Sequence, residues 1–166
     1  MVWADEEESN NEIIEKHCYN DQLSNCNIYG GLYSREEMLQ FVFDDNHGIC
    51  PSGWHIPSVS EWNTLISYLG NYSVAGGKMK ETGTSHWQSP NTGATNESGF
   101  TGLPGGQFAF WSYSNLHTGG YFWAFEDCET YPGMFYILTY YNDDFQEICG
   151  TPMESGEFSV RCLKNE

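Results

Sequence analysis

The sequence predicts an α+β fold: a single loop-rich, disulfide-stapled domain with two short helices and small twisted antiparallel sheets. Three observations carry that expectation. Two segments in the first half join a helix-opening signal to apolar residues at helical spacing. The second half replaces this pattern with short aromatic runs between glycine-rich turns. Six cysteines stand in neither C-x-x-C pairs nor zinc spacing, which favours disulfides over metal.

Taken in order, residues 1–17 are an acidic lead-in, polar apart from Val2, Trp3, Ile13 and Ile14, that either pairs as an edge strand near Trp3 or frays. Cys18 to Cys26 encloses a run of turn formers, a loop read as closed by its own two cysteines. Ser34-Arg-Glu-Glu37 has the form of a capping box. Met38, Leu39, Val42 and Phe43 follow at helical spacing, predicting a helix over 35–43 that Asp44 to Gly48 stops. Ser58-Val-Ser-Glu61 repeats the box. Trp62, Leu65, Ile66 and Leu69 then fall at i, i+3, i+4 and i+7, with Gly70 as the stop. From Gly76 onward helix signals vanish, and 107–111, 120–126, 134–141 and 157–163 read as strands. With no internal repeat or low-complexity linker, residues 18–166 form one domain behind the lead-in.

Charge narrows the partners. Six Lys and Arg against 23 Asp and Glu give −17, and no cation lies between Lys80 and Arg161. A phosphate backbone needs clustered cations to release its counterions, so nucleic acid is excluded as a partner, as are anionic membrane surfaces. No window of eighteen apolar residues exists, so no membrane insertion by this chain is expected. The 16% aromatic content argues against disorder. Met1-Val2-Trp3 runs into Asp5-Glu6-Glu7-Glu8 without a secretory-signal pattern, so the expectation is a processed or trimmed piece of an exported protein. Disulfides imply an oxidising compartment. Six cysteines allow fifteen connectivities; the reading favours 18–26, 50–162 and 128–149, the last stapling an aromatic strand pair.

The usual catalytic constellations are missing: there is no G-x-S-x-G, P-loop, dinucleotide fingerprint or H-E-x-x-H. His17, His47, His55, His86 and His117 show no i,i+4 pairing and read as surface or hydrogen-bonded core residues. Asn142-Asp143-Asp144 with Glu147, and Asp44-Asp45-Asn46, offer hard oxygens for calcium, but neither matches an EF-hand loop, and solvated turns with no cofactor are the expectation. Fifteen of the 27 aromatics lie within residues 100–145. Trp111, Tyr113, Trp123, Tyr131, Tyr140 and Tyr141 exceed what a small core hides, because consecutive strand residues point to opposite faces. Exposed aromatics beside Asn and Asp suit sugar stacking or a protein interface. The candidate ligand-binding residues are therefore Trp111, Trp123, Tyr140, Tyr141, Asn142 and Asp143.

The ordered segments Cys18…Cys26…Tyr29-Gly-Gly-Leu-Tyr33, Cys50-Pro-Ser-Gly-Trp-His-Ile-Pro-Ser-Val-Ser-Glu-Trp62, Ala75-Gly-Gly-Lys-Met-Lys80, Asn96-Glu-Ser-Gly-Phe100, Leu103-Pro-Gly-Gly106 and Phe158-Ser-Val-Arg-Cys162 resemble the Fibrobacter succinogenes major paralogous domain over residues 18–163. Trp3 resembles the remnant of that family's Val-Trp-Met lead-in, from which Ala4-Asp5 departs, and the Cys128/Cys149 pair is an addition. The resemblance implies an exported, extracellular or bacterial cell-surface protein, with any lipid anchor outside this chain. It implies a C-type-lectin-like fold, similar also to formylglycine-generating enzymes, in which Ser58 to Trp62 opens the long helix. The Phe158 to Cys162 strand would return beside the Cys50 segment, supporting the 50–162 bridge. Sulfatase-activating enzymes use two active-site cysteines in the second half, and no matching free pair is present. Calcium-dependent lectins use Glu-Pro-Asn or Gln-Pro-Asp with Trp-Asn-Asp, where this chain has only Tyr141-Asn142-Asp143. The functional expectation is a non-catalytic extracellular recognition or adhesion module that binds a glycan or cell-wall polymer. A surface-protein partner or a structural role in a surface layer or filament is the alternative, and a polysaccharide hydrolase the lesser one.

Overall fold

The computed structural model describes residues 2–3, 13–129, 131–150 and 156–166. Among these are four helices: α1 (Leu23–Tyr29), α2 (Arg35–Leu39), α3 (Val59–Leu69) and α4 (Tyr72–Met79). The strands are β1 (Val2–Trp3), β2 (Glu15–Lys16), β3 (Trp54–His55), β4 (Gly105–Ala109), β5 (Ser112–Leu116), β6 (Gly119–Ala124), β7 (Met134–Thr139), β8 (Gln146–Cys149) and β9 (Leu163–Lys164). A five-stranded sheet runs β5-β4-β6-β7-β8, and two-stranded pairs join β1 to β2 and β3 to β9. The fold is mixed α+β. Its sheets are not wholly antiparallel: β4 and β6 pair in parallel at Gly106 and Gly120, as do β1 and β2.

α3 forms as its sequence dictates. The Ser58 hydroxyl accepts from the Glu61 N–H, Glu61 answers on the Ser58 N–H, and Gly70 ends the helix at positive φ. The helix expected over 35–43 stops at Leu39. Gln40 and Phe41 take left-handed φ values of 52° and 59°, and Val42 and Phe43 are exposed instead of joining the core stripe. Two helices were not expected. α1 starts within the Cys18–Cys26 loop, runs on past Cys26 and buries no residue, so it carries no apolar stripe to read. α4 holds Gly76 and Gly77 in its interior, where glycine is unfavourable unless something must approach closely.

Three expected strands are present, shifted by one or two residues, as β4, β6 and β7. Residues 157–163 are not one strand. Glu157, Phe158 and Ser159 make single bridges to Phe108, Tyr33 and Phe122, and only Leu163–Lys164 pairs, with Trp54–His55. This segment wedges into the sheet beside β6, with the Trp123 N–H bonding the Ser159 carbonyl.

The wedge decides where the core sits. On β6 and β7, Phe122, Ala124, Tyr136 and Leu138 join the α3 residues Trp62, Ile66 and Leu69 on one side. Trp123 and Phe135 pack with Met38, Leu39, Ile56 and Phe158 on the other. The period-2 alternation of the strands thus feeds two cores rather than one core and a wet face.

The disulfides are Cys18–Cys26, Cys50–Cys162 and Cys128–Cys149. They mark a protein that folds in an oxidising, non-cytoplasmic compartment. Among the described residues no helix is long and apolar enough to cross a membrane. Their sequence separations of 8, 112 and 21 residues rank their effect on the unfolded chain. Removing Cys50–Cys162 as a double alanine variant should cost about 5 kcal/mol in urea unfolding, against about 3 kcal/mol for Cys18–Cys26.

Candidate functional site

Strand register separates the six expected ligand-binding residues into three places. β4 and β5 pair with Ala109 opposite Ser112, so Phe110 and Trp111 form the hairpin tip. That tip lies toward the sheet end where β6 leaves, whereas Tyr140 to Asp143 follow β7 at the end where β6 begins. Trp123 is in neither place. It is 0% exposed, edge-on to Phe135 and tilted against Phe158, with its indole N–H donating to the Tyr33 carbonyl. The expectation that Trp123 meets ligand is therefore corrected: the 157–159 wedge and α2 cover the face that a simple sheet would leave open. Tyr140 packs against the α3 core and Tyr141 stands exposed beside it, their rings 5.4 Å apart.

Asn142 and Asp143 are held in a joint rather than offered to solvent. The Asn142 side chain accepts from the Thr139 hydroxyl and donates to Asp144. The Asp143 carbonyl accepts from the Gly77 N–H of α4. Side chains at Gly76 and Gly77 would collide with the backbone carbonyls of Asp144 and Gly93, so the two glycines are what allow α4 to lie on this turn. At the end of α4 comes Lys80, wholly buried, whose ammonium donates to the carbonyls of Thr92, Thr139 and Asn142 at 2.7, 2.8 and 2.7 Å. The Trp87 ring lies 5.5 Å from that ammonium. Burial pulls the lysine down to about 8 while Asp143 pulls it upward, so it stays charged at neutral pH. Sequence reasoning passed over Lys80, although as the last cation before eighty cation-free residues it was the available signal.

The hairpin tip is the opposite case: among the described residues no hydrogen bond or ring contact holds its side chains. Phe110 is 59% exposed and Trp111 85%. Both are in the left-handed region, with φ 53° and 58°, the requirement of a two-residue type I′ turn that Asn-Gly usually meets. Below the tip the hairpin is firmly mounted. Tyr113 packs on Phe108 and Tyr19 at 4.9 and 5.2 Å between ring centroids, and its hydroxyl donates to Asp21. His17 stacks on Phe108 at 4.7 Å. Phe110 was overlooked in the sequence because it reads as the end of a strand; two adjacent aromatics where a turn is needed were the signal.

Ionisable groups elsewhere are mostly structural. His17 bonds Glu157, His55 bonds Glu61, and His86 bonds Glu81. Arg35 forks onto Asp127. Glu37 does not complete the expected capping box. Its N–H bonds the Ser34 hydroxyl, but its buried carboxylate turns to the Glu15 N–H and so clamps β2. Burial and the Glu15 charge push the Glu37 carboxyl up, opposed by the Glu15 and Gln40 hydrogen bonds. Among the described residues no group of three or more His, Cys, Asp or Glu side chains is placed to hold a metal ion.

The Fibrobacter succinogenes major domain family matches residues 4–164, so the match begins inside the acidic lead-in and takes in both α3 and the Lys80 joint. The chain belongs to that family. No curated protein and no solved structure matches it.

Two variants test this description. Lys80→Met takes the shared donor from one buried and two partly buried carbonyls and should cost about 3–5 kcal/mol in chemical denaturation. Because the folded Glu37 carboxyl sits above 4.5, the native state holds that proton more tightly than the unfolded chain. Its contribution is complete below 4.5 and is lost as pH rises through the raised value. Glu37→Gln should flatten that part of the melting-temperature profile and gain relative to wild type toward pH 8.

Proposed function

From the premise of that family membership, we propose that this domain is a non-catalytic, extracellular or cell-surface recognition module that binds a neutral glycan or cell-wall polymer through the Phe110–Trp111 tip. The observation that supports the reading is a local rule broken without structural return. A left-handed conformation costs an ordinary residue about 1–3 kcal/mol, and the side chains here bury too little to offset it. Asn-Gly would close the same hairpin without strain. Sequences that depart from the local optimum in this way do so at functional positions.

The chemistry fits a sugar. Flat π faces stack on the apolar face of a pyranose ring, and Ser112 beside the tip and the Gln107–Ser114 pair further down the hairpin supply hydroxyl and amide partners. A charge of −17 repels acidic polymers and leaves neutral ones. The rigid aromatic mounting on Tyr19, Phe108 and Tyr113 keeps the ordering cost of binding low. Attachment to a C-type-lectin-like scaffold, carried by the capped α3 helix and the returning Phe158 to Cys162 segment, belongs to the same proposal.

The test is a double variant, Phe110→Asn with Trp111→Gly. On insoluble cellulose, xylan, chitin and peptidoglycan, the wild type should bind at least one saturably. The variant should lose at least about tenfold in affinity while unfolding about 1–3 kcal/mol later. Unchanged binding, or no binding by wild type to any of the four, would sink the proposal.

A further inference from the structure

A groove of about 670 Å³ runs between α3 and the C-terminal segment, within the range of small-molecule sites. One wall is a second stripe of α3, Glu61, Leu65 and Tyr68, spaced i, i+4, i+7 and offset from the buried Trp62–Ile66–Leu69 stripe. Tyr68 is 84% exposed. The other wall is Arg161 to Lys164, fixed in place by the Cys50–Cys162 disulfide and by β9 pairing with β3. Phe100 lines the groove beneath Arg161.

The cations of the chain give this groove its meaning. Arg35 pairs with Asp127, Lys78 pairs with Glu97, and Lys80 is locked on carbonyls. Arg161 lies 4.7 Å over the Phe100 ring and donates one nitrogen to the carbonyls of Phe100 and Thr101. In a protein with 23 acids, no carboxylate among the described residues is within ion-pair distance of its guanidinium. Burial also pulls its pKa down, the sign of a charge that has lost water without gaining a counterion. Lys164 is on the same wall and has no ion-pair partner among the described residues. Two acids line the groove as well. Glu61 is taken up by Ser58 and His55, and Glu166 is exposed.

We propose that this groove binds a small organic acid with an apolar body, its carboxylate placed on Arg161 and Lys164 and its body along Leu65, Tyr68 and Leu163. A planar guanidinium tethered by one nitrogen has its remaining N–H groups available for a carboxylate, the geometry that distinguishes arginine from lysine as an acid receptor. The apolar walls would supply affinity and the unpaired cation would select charge. The site is separate from the hairpin tip, and the two proposals stand or fall independently.

The experiment is calorimetric titration of the folded chain with dodecanoate, kept below its micellar concentration, and with 3-phenylpropionate, each beside the corresponding neutral alcohol. At least one acid should bind saturably at one site, with its alcohol about tenfold or more weaker, as expected for a lost charge-assisted hydrogen bond. Arg161→Met should weaken that acid by a similar factor. Tyr68→Glu, on an exposed position that spares the core, should do the same by opposing the ligand charge and covers the case in which Arg161→Met does not fold. The hairpin-tip variant should bind the acid as wild type does. Failure of both acids to bind, equal binding of acid and alcohol, or wild-type affinity in Tyr68→Glu would overturn the proposal.

Discussion

The ammonium of Lys80 sits where the end of a strand and two loop stretches come together, and it gives each of them a hydrogen bond. Thr92 belongs to the long connection between α4 and β4, Thr139 ends β7, and Asn142 begins the turn into β8. The Thr139 carbonyl is buried and those of Thr92 and Asn142 are partly buried, and all three accept from the one ammonium. One buried charge with three donors does what secondary structure does elsewhere, which is to satisfy the backbone inside the protein. The expense of burying a cation is offset only because all three donors are used and the Trp87 face and Asp143 lie close by.

The joint explains a stretch of sequence that looks unhelpful in isolation. Gly76-Gly77 weakens α4 as a helix, yet a side chain at either position would push the Asn142–Asp144 turn away and pull its carbonyl off Lys80. Helix quality is given up for backbone approach, and the approach is what lets the lysine reach. The same arrangement consumes the polar atoms that made this turn resemble a ligand site. The Asn142 side chain, one Asp144 oxygen and the Asp143 carbonyl are taken up by hydrogen bonds within the joint.

How much of this was legible depended on whether a signal was local. α3 was readable end to end because its cap, its apolar stripe and its stop are all written within thirteen residues. The α2 region was half readable: Ser34 does cap, but Glu37 is drawn off by Glu15, a contact across 22 residues that no local rule reports. Strands β4, β6 and β7 announced themselves by aromatic alternation, while β5 and β8, polar and partly exposed, did not. Of the fifteen possible disulfide pairings the favoured one is present, Cys18–Cys26 closing its own short loop and Cys50–Cys162 having had the support of the family resemblance. The ligand-site expectation failed at Trp123 for a nonlocal reason. Trp111 and Trp123 look alike in sequence, and only the wedge of residues 157–159 over β6 buries one and leaves the other in water. At Phe110–Trp111, as at Gln40–Phe41, local preference and observed backbone disagree, and at the hairpin tip that disagreement coincides with two exposed aromatic rings.

The Cys50–Cys162 bond has a mechanical consequence. A pull applied to the two ends of this chain would travel along the residues before Cys50, cross the sulfur–sulfur bond and leave through the few residues after Cys162. The sheet, the Lys80 joint and the aromatic hairpin all lie inside the 112-residue separation that the bond short-circuits, and the groove wall at Arg161 lies at its very end. Tension through the two ends would therefore bypass the sheet and the aromatic hairpin, whereas β9, which carries Leu163 and Lys164 on the groove wall, would bear it. A pull on the lead-in would load the β1–β2 pair ahead of the sheet.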